Sequence, residues 1–353
     1  MSLCCIFSPK EQYSDSERRA LAQWEAPTVT TLMSGQFQDN FETFSVDQFP
    51  CRDSLRSLKA HAVLYLFLQS DYNDLYYLNG HLAKLDPYLN RTMAEHAASR
   101  FRFIYDTYLI NTNTNIYLSV IPDKNYYLTE NSSYIYLDFD QIVSTLTESN
   151  PSFSYIDIRD TLNIDSYYYT DTHWKQETLC DTAQRLLKAM NPDMSDSVLL
   201  RNYEINYAQT PFYGVYYGQS ALYPQPDTLI YLTNENLNNC TVTSYETGSP
   251  ETAYVYDLDA LTGKDPYEMF LSGSTPLLTL ENPDANTDKE LIIFRDSFAS
   301  SITPLLAQQY SKITLVDIRY MPAASIDNYI IFDNQDILFL YSTLLLNSSL
   351  GMR

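Results

Sequence analysis

From residue 115 onward, apolar residues occur as short continuous runs separated by stretches of helical periodicity. The runs lie at 115–124, 154–162, 290–298 and 311–321. A helical stripe between the second and third runs consists of Leu179, Ala183, Leu186, Leu187 and Met190. Strands that are apolar throughout are buried on both faces, and their alternation with helices is typical of a parallel sheet. The pattern predicts an α/β fold with a mainly parallel sheet covered by helices on both faces.

Two regions depart from this alternation. Residues 1–60 have the pattern of an N-terminal helical arm, with two helices interrupted at Phe49-Pro50 because proline cannot continue a helix. Residues at about 200–285 contain short β-rich runs punctuated by glycine and proline, which predicts a β-rich insertion. We therefore expect an arm at 1–60 and one α/β domain at 61–353.

The composition narrows the classes of function. The chain has 44 Asp and Glu against 22 Lys and Arg, a net charge of −22, whereas nucleic-acid binding needs a basic surface and is excluded. The five cysteines form no C-x-x-C pair and the four histidines have no metal-ligand spacing, so no metal, disulfide framework or cofactor is expected. The 32 tyrosines fit either half-buried strands or a sugar-binding surface, and composition leaves both open.

A candidate nucleophile lies where the third apolar run ends. Ser297 follows Asp296 at the carboxyl end of this predicted strand and precedes a helical segment. Ligands bind at the carboxyl ends of strands in open α/β sheets, and the Ser297 N–H at a helix N-terminus can hold an oxyanion. A serine at this position is also typical of an ordinary turn or cap, and the pattern alone leaves both interpretations open.

A serine nucleophile requires a base. His173 is the histidine that also lies at a loop-to-helix junction after a predicted strand, and Asp171 precedes it by two residues. In an extended loop, residues i and i+2 point to the same side, so the Asp171 carboxylate can orient the imidazole. The alternative interpretation is that Asp171 or Thr172 caps the helix at 175–190.

Together, the TDTHW segment at 170–174 and the RDSF segment at 295–298 resemble the bacterial DHHW protein family. That family is similar to the SGNH-like O-acetylating proteins of alginate and other exopolysaccharide systems. The resemblance implies an SGNH-hydrolase-like, flavodoxin-like fold with a triad of Ser297, His173 and Asp171. It also implies an oxyanion hole formed by the Ser297 and Gly273 N–H groups, with Ser274 at a neighbouring donor position.

The chain departs from the family pattern at three places. Thr172 stands where the family motif has a second histidine. The segment 272–274 reads Ser-Gly-Ser where relatives tend to have Gly-Gly-Asn, so Ser274 replaces a candidate oxyanion donor. Arg295 replaces the small residue of many relatives, which would narrow the site or bind an anionic substrate. We predict Arg295 and Trp174 as substrate-binding residues.

The expected function is acyl transfer in the cell envelope, by an O-acetyltransferase or acetylesterase acting on a surface polysaccharide. The alternative is a non-catalytic polysaccharide-binding or envelope-assembly module on the same fold. The expected partners are a polysaccharide or acetylated sugar and an acetyl-donor membrane protein.

The location follows from the same resemblance, because such relatives are usually exported. We expect an extracytoplasmic protein that is membrane-anchored through an N-terminal segment missing from this chain, with the apolar residues 4–7 as the end of that anchor. No stretch of the sequence itself reaches transmembrane length, and a cytoplasmic location stays open.

Overall fold

The computed structural model describes residues 9–14, 16–17, 19–130, 132–194 and 202–353. The apolar stretch predicted as the end of an anchor lies outside the described residues. None of the helices in the described part of the chain combines the length and the apolar character that a membrane span requires.

The described residues contain both strands and helices. The strands are β1 Tyr13–Ser14, β2 Arg19–Ala20, β3 Leu75–Leu78, β4 His81–Lys84, β5 Asn115–Ile121, β6 Ser154–Tyr155, β7 Glu204–Phe212, β8 Asp227–Thr233, β9 Thr241–Ser244, β10 Glu251–Ala253, β11 Leu277–Glu281, β12 Glu290–Arg295, β13 Lys312–Val316 and β14 Asp336–Ser342. The helices are α1 Val29–Ser34, α2 Gln36–Asp47, α3 Arg52–His61, α4 Arg91–Ile104, α5 Asn125–Leu128, α6 Phe139–Ser149, α7 Cys180–Met190, α8 Val215–Ser220, α9 Glu235–Asn239, α10 Ala299–Leu306 and α11 Thr343–Leu346.

The chain divides into two compact units. The first unit comprises the described residues up to Leu85 together with Tyr169–Asp171 and Tyr213–Pro226. The second unit comprises Asp86–Tyr168, Thr172–Phe212 and Asp227–Arg353. The first unit therefore extends beyond the predicted boundary at residue 60, and it includes two short segments from later in the chain.

The first unit contains α1, α2, α3, α8 and two antiparallel strand pairs. Helix α2 ends at Asp47 and α3 begins at Arg52, which confirms the predicted break at Phe49-Pro50. The buried Asp47 carboxylate accepts a hydrogen bond from Arg19 Nη2 at 2.6 Å and from the Ala22 N–H at 2.9 Å. These bonds attach the polar start of the chain to the end of α2.

The second unit is built on an eight-stranded sheet of described residues, in the order β10-β9-β11-β13-β12-β14-β5-β6. Strands β13, β12, β14, β5 and β6 run parallel to one another, and β11, β9 and β10 extend the sheet through antiparallel pairs. The fold is thus α/β with a mostly parallel sheet, as the apolar runs predict. Within the predicted β-rich region, β9 to β11 join this sheet, whereas β7 and β8 form a separate antiparallel pair.

Both faces of the sheet are buried. In β12, Leu291 and Ile293 point into one apolar core while Ile292 and Phe294 point into another. Residues of α7 and α10 contribute to the first core, and residues of α4 and α6 contribute to the second. Helices therefore cover both faces, which explains why β12 is apolar at consecutive positions rather than at alternate ones.

The carboxyl ends of the parallel strands meet at one edge of the sheet. Asp123 follows β5, Asp296 and Ser297 follow β12, and Ser342 ends β14. The Asp296 Oδ2 atom accepts hydrogen bonds from the Ser342 N–H at 2.8 Å and from its Oγ–H at 2.6 Å. This edge is consequently polar, fixed by hydrogen bonds, and carries the candidate nucleophile.

Candidate active site

Ser297 lies in a tight turn between β12 and α10. The Asp296 Oδ1 atom accepts the Phe298 N–H at 3.1 Å, and the Ser297 carbonyl accepts the Ser300 N–H at 3.2 Å. Ser297 is partly accessible, whereas the residues on both sides of it are buried. Its own N–H donates to no acceptor among the described residues. The turn therefore presents a hydroxyl and a free N–H together at a helix N-terminus, where the backbone dipoles favour negative charge.

The structure brings His173 to this serine. The His173 Nε2 atom lies 2.8 Å from Ser297 Oγ, although the two residues are 124 positions apart. In the neutral tautomer with its proton on Nδ1, His173 can accept the Ser297 hydroxyl proton. This is the nucleophile–base contact that the chemistry of an activated serine requires.

The residue next to His173 fixes this contact. Trp174 is fully buried, and its Nε1–H donates to the Phe298 carbonyl at 3.0 Å and to Ser301 Oγ at 2.9 Å. Trp174 follows His173 and Phe298 follows Ser297. The two loops are therefore joined by two adjacent contacts, His173 to Ser297 and Trp174 to Phe298. The His173 loop is therefore held against the first turn of α10.

The loop is also tied to the end of β5. The Tyr168 N–H donates to the His173 carbonyl at 3.2 Å, and the Tyr168 carbonyl accepts the fully buried Lys124 Nζ at 2.7 Å. Tyr167 Oη donates to the Pro122 carbonyl at 2.6 Å. Contacts with the end of β5 and with the N-terminus of α10 thus hold the His173 loop in place.

The imidazole is itself packed between aromatic rings. The Tyr267 ring is stacked on it at a centroid distance of 3.8 Å and an interplanar angle of 7°. The Phe298 ring lies 4.8 Å away in a tilted arrangement. His173 is only 7% exposed, so packing fixes the plane of the ring.

Asp171 belongs to the first unit, whereas His173 and Ser297 belong to the second. The Asp171 side chain is buried, and its Oδ2 atom accepts the Val215 N–H at 2.8 Å. The neighbouring Thr170 Oγ1 accepts the Gly214 N–H at 2.8 Å. The segment 170–171 is thus held by the start of α8, and the role of Asp171 in a triad stays a prediction.

Both capping alternatives are wrong. Helix α7 begins at Cys180 with Leu179 as its N-cap, and no side chain caps it, so neither Asp171 nor Thr172 has that role. Helix α10 has Phe298 as its N-cap and likewise no side-chain cap, so Ser297 is not a cap.

The loop predicted to share the oxyanion hole has an unusual backbone. Leu271, Ser272 and Gly273 have φ values of 54°, 53° and 85°, three consecutive left-handed residues. The Gly273 N–H donates to the Phe270 carbonyl at 3.2 Å, so this predicted donor is already engaged. Ser274 is partly accessible, and within the described residues its hydroxyl has no hydrogen-bond partner. Ser274 is therefore the better candidate donor of the two.

The predicted substrate contacts of Arg295 and Trp174 need correction. Both side chains are completely buried, so neither offers an atom to a substrate. Trp174 holds the His173 loop, as described above. Arg295 Nη1 donates to Ser300 Oγ at 2.7 Å and its Nη2 donates to the Gly273 carbonyl at 3.3 Å.

One residue of the site, Tyr267, has no signal in the sequence. Tyr267 stacks on His173, and its hydroxyl donates to Ser301 Oγ at 2.8 Å. Nothing in the sequence separates Tyr267 from the other tyrosines, since the stacking partner lies 94 positions away (267 − 173).

Among the described residues, no group of three or more His, Cys, Asp or Glu side chains could hold a metal ion.

Comparison with known proteins identifies the fold. No family model matches the chain, and no curated protein matches it. A DHHW family protein from Eubacterium siraeum has a similar structure, with a TM-score of 0.62 and 19% identity over 80% of this chain and 95% of that one. Bacillus cereus PatB1 is similar with a TM-score of 0.62 and 20% identity over 77% of this chain and 96% of that one. The chain shares the fold of these two proteins, in agreement with the resemblance inferred from its motifs.

Proposed function

We propose that the chain is an acyl-transfer enzyme of the cell envelope in which Ser297 is the nucleophile, His173 the general base and Asp171 the orienting carboxylate. The observation that carries the proposal is the 2.8 Å separation between His173 Nε2 and Ser297 Oγ. A buried imidazole directed at an accessible serine hydroxyl is the arrangement that lowers the barrier to nucleophilic attack.

The first half of the reaction forms an acetyl-enzyme. His173 Nε2 takes the Ser297 hydroxyl proton while Oγ attacks the carbonyl carbon of an acetyl ester, giving a tetrahedral oxyanion. The C–O bond to the donor alcohol then breaks, and the imidazolium gives its proton to the departing oxygen. Acetyl-Ser297 and the free donor alcohol are the products of this half.

The second half regenerates the enzyme. A sugar hydroxyl, or water, loses its proton to His173 and attacks the acetyl carbon. The bond to Ser297 Oγ breaks and Oγ recovers the proton from the imidazolium. A sugar acceptor makes the protein an O-acetyltransferase, and water makes it an acetylesterase.

The oxyanion is placed at the N-terminus of α10. The unengaged Ser297 N–H donates to it, and the positive end of the helix dipole stabilises the same charge. Ser274, whose hydroxyl is without a partner in the described structure, is the proposed second donor. This assignment replaces the Gly273 N–H by the Ser274 side chain.

The proposed substrate is a surface polysaccharide or an acetylated sugar, with an acetyl-donor membrane protein as partner and a location outside the cytoplasm. The support is the resemblance of TDTHW and RDSF to the DHHW family, together with the fold shared with a DHHW family protein and PatB1. Cell fractionation tests the location, and recovery of the protein in the cytoplasmic fraction would contradict it.

The direct test is hydrolysis of a small activated acetyl ester by the purified protein. We expect Ser297→Ala and His173→Gln each to lower kcat by at least about 10³-fold, because the nucleophile and base act as a unit. Ser325→Ala, a change at a partly exposed serine after β13, should leave kcat unchanged. Turnover that survives in Ser297→Ala would contradict the assignment of Ser297 as the nucleophile. A folded wild-type protein without turnover would support the non-catalytic, polysaccharide-binding alternative.

A chemical probe gives a second readout. Bacillus cereus PatB1 has been solved with a sulfonyl adduct, so a sulfonyl fluoride is a suitable reagent. We expect it to modify the wild-type chain once, on the peptide that contains Ser297, and to leave Ser297→Ala unmodified. Modification of a different peptide would place the reactive hydroxyl elsewhere.

A further inference from the structure

Arg295 is the last residue of β12 and has no exposed surface. It pairs with Leu340 of β14 in the middle of the sheet. Moving a cation from water to such a position is costly, and burial lowers the pKa of the guanidinium. A residue chosen only for core packing at this position would be apolar.

The direct contacts of Arg295 are not ion pairs, although the Asp317 and Asp296 carboxylates act on its charge from a longer distance. Its hydrogen bonds go to two neutral acceptors, Ser300 Oγ at 2.7 Å and the Gly273 carbonyl at 3.3 Å, and its Nε has no partner. Among the described residues, no carboxylate lies within 4.0 Å of its nitrogens. The buried Asp317 carboxylate is instead ion-paired with Arg319 at 2.5 Å.

The two acceptors belong to different backbone segments, and each segment carries or adjoins one of the two proposed oxyanion donors, the Ser297 N–H and the Ser274 hydroxyl. Ser300 lies in the first turn of α10, and its N–H donates to the Ser297 carbonyl at 3.2 Å. Gly273 ends the left-handed run 271–273 and immediately precedes Ser274. Left-handed backbone at Leu271 and Ser272 costs roughly 1–2 kcal/mol per residue, so this loop needs contacts that hold it.

Other contacts hold the start of the loop. The Leu271 N–H donates to the Val255 carbonyl at 3.0 Å, and Ser272 Oγ accepts the Tyr254 N–H at 3.3 Å. Toward its end, the loop is attached to the Ser297 turn by the Arg295 guanidinium. Loss of this side chain would remove the hydrogen bonds that join Gly273, next to Ser274, to the first turn of α10.

We propose that Arg295 is a positioning residue that joins the 271–274 loop to the first turn of α10, the two segments that carry the proposed oxyanion donors. It touches neither substrate nor nucleophile and acts through Gly273 and Ser300. The inference rests on the proposed function, because it assigns these two segments to the oxyanion hole.

The test compares Arg295→Met and Arg295→Lys with wild type in acetyl-ester turnover and thermal unfolding. We expect Arg295→Met to lower kcat by about 10²–10³-fold, the usual effect of losing one oxyanion contact, with KM changed less than about threefold. Its unfolding temperature should be unchanged or higher, because an apolar side chain of similar volume removes a buried charge. Arg295→Lys should recover part of kcat, since it keeps the charge and can reach one of the two acceptors.

Two further variants sharpen the comparison. Ser300→Ala removes only the hydroxyl that accepts from Arg295 Nη1. We expect it to lower kcat by about three- to tenfold, which corresponds to the net contribution of one hydrogen bond. Arg159→Met is the matched control, since Arg159 follows β6 of the same sheet and is ion-paired with Asp157 at 2.6 Å. It should leave kcat unchanged.

The outcomes separate this inference from the proposed function. Wild-type protein without Ser297-dependent turnover overturns both. If wild type is active and Arg295→Met keeps its kcat, the positioning role alone is wrong. A rise in KM at constant kcat would make Arg295 a substrate-binding residue. If kcat falls only in proportion to the amount of folded protein, in both Arg295→Met and Ser300→Ala, the role of Arg295 is structural.

Discussion

The imidazole of His173 lies flat against the phenol ring of Tyr267, with ring centroids 3.8 Å apart and planes that differ by 7°. The Tyr267 hydroxyl donates to Ser301 Oγ, which also accepts the Trp174 indole N–H. One hydroxyl on α10 therefore connects the stacking ring to the loop that carries the histidine. The plane of the imidazole is set by Tyr267, and its direction by the contact with Ser297.

We predict that the Tyr267 ring matters more to turnover than its hydroxyl. Tyr267→Phe keeps the stacked ring and should retain kcat within about threefold. Tyr267→Leu removes the flat partner, and the resulting freedom of His173 should lower kcat by about tenfold or more, because small displacements of a base are costly. Steady-state kinetics on folded protein measures both values. Equal kcat in the two variants would show that the stack does not position the imidazole.

Trp174 should contribute to stability through its two hydrogen bonds as well as its volume. Trp174→Phe removes the donor to the Phe298 carbonyl and Ser301 Oγ, and we expect a loss of about 1–3 kcal/mol in the free energy of unfolding by urea. The matched change is Trp24→Phe, at an indole that is 49% exposed and packs edge-on against Phe37. It should cost less than about 1 kcal/mol.

The same pair gives a spectroscopic check, because the chain has two tryptophans. In Trp24→Phe the remaining emission comes from Trp174, and burial predicts a blue-shifted spectrum that acrylamide hardly quenches. In Trp174→Phe the remaining emission should be quenched readily. The reverse pattern would place Trp174 in solvent and remove the basis for its anchoring role.

The parts of the fold that the sequence predicts are those whose signal is local. The run at 290–298 becomes β12, and the stripe from Leu179 to Met190 becomes α7, because each buries a pattern visible within a few residues. The assignment of Tyr213–Pro226 to the first unit has no such signal. It depends on bonds such as Val215 N–H to Asp171, between segments 44 positions apart.

The candidate active site likewise contains residues that have a local signal in the sequence and residues that have none. Ser297 and His173 each lie at a strand-to-helix or loop-to-helix junction, so both could be selected before their contact was known. The sequence predicts Arg295 as a substrate contact because a sequence shows charge and does not show burial. Tyr267 could not be selected at all, since stacking is a property of two rings that come together only on folding.

Cysteine reactivity tests burial independently of catalysis. Cys51 is exposed, whereas burial raises the pKa of Cys180 and raises that of Cys240 to about 11. The thiolate is the reactive form, so at pH 8 iodoacetamide should modify Cys51 at least about 10²-fold faster than Cys240. Mass spectrometry of peptides after timed labelling measures each rate, and urea-unfolded protein is the control in which all sites react. Rapid labelling of Cys240 in folded protein would contradict its burial.

Asp123 lies at the carboxyl end of β5. This carboxylate is buried, and burial raises its pKa from 3.8 to about 6. Its Oδ1 accepts the Asn125 N–H at 3.0 Å, whereas Oδ2 has no partner. In Asp123→Asn, the amide oxygen can keep the Oδ1 bond and the amide nitrogen takes the place of Oδ2, so the ionisation is removed with little change in shape.

The direction of the change in stability with pH follows from the pKa of Asp123, which is 3.8 in the unfolded chain and about 6 in the folded protein. Between pH 4 and 6 the folded protein keeps a proton on Asp123 that the unfolded chain has released, so this group lowers the stability of wild type as pH rises through that range. Above pH 6 the full cost remains, about 1–3 kcal/mol for a shift of this size. We therefore expect the stability of Asp123→Asn relative to wild type to increase by that amount between pH 4 and pH 8, measured by urea unfolding at both. Comparing this change with pH, rather than the absolute difference, cancels the constant cost of a buried amide, and a difference that is the same at both pH values would show that Asp123 titrates normally.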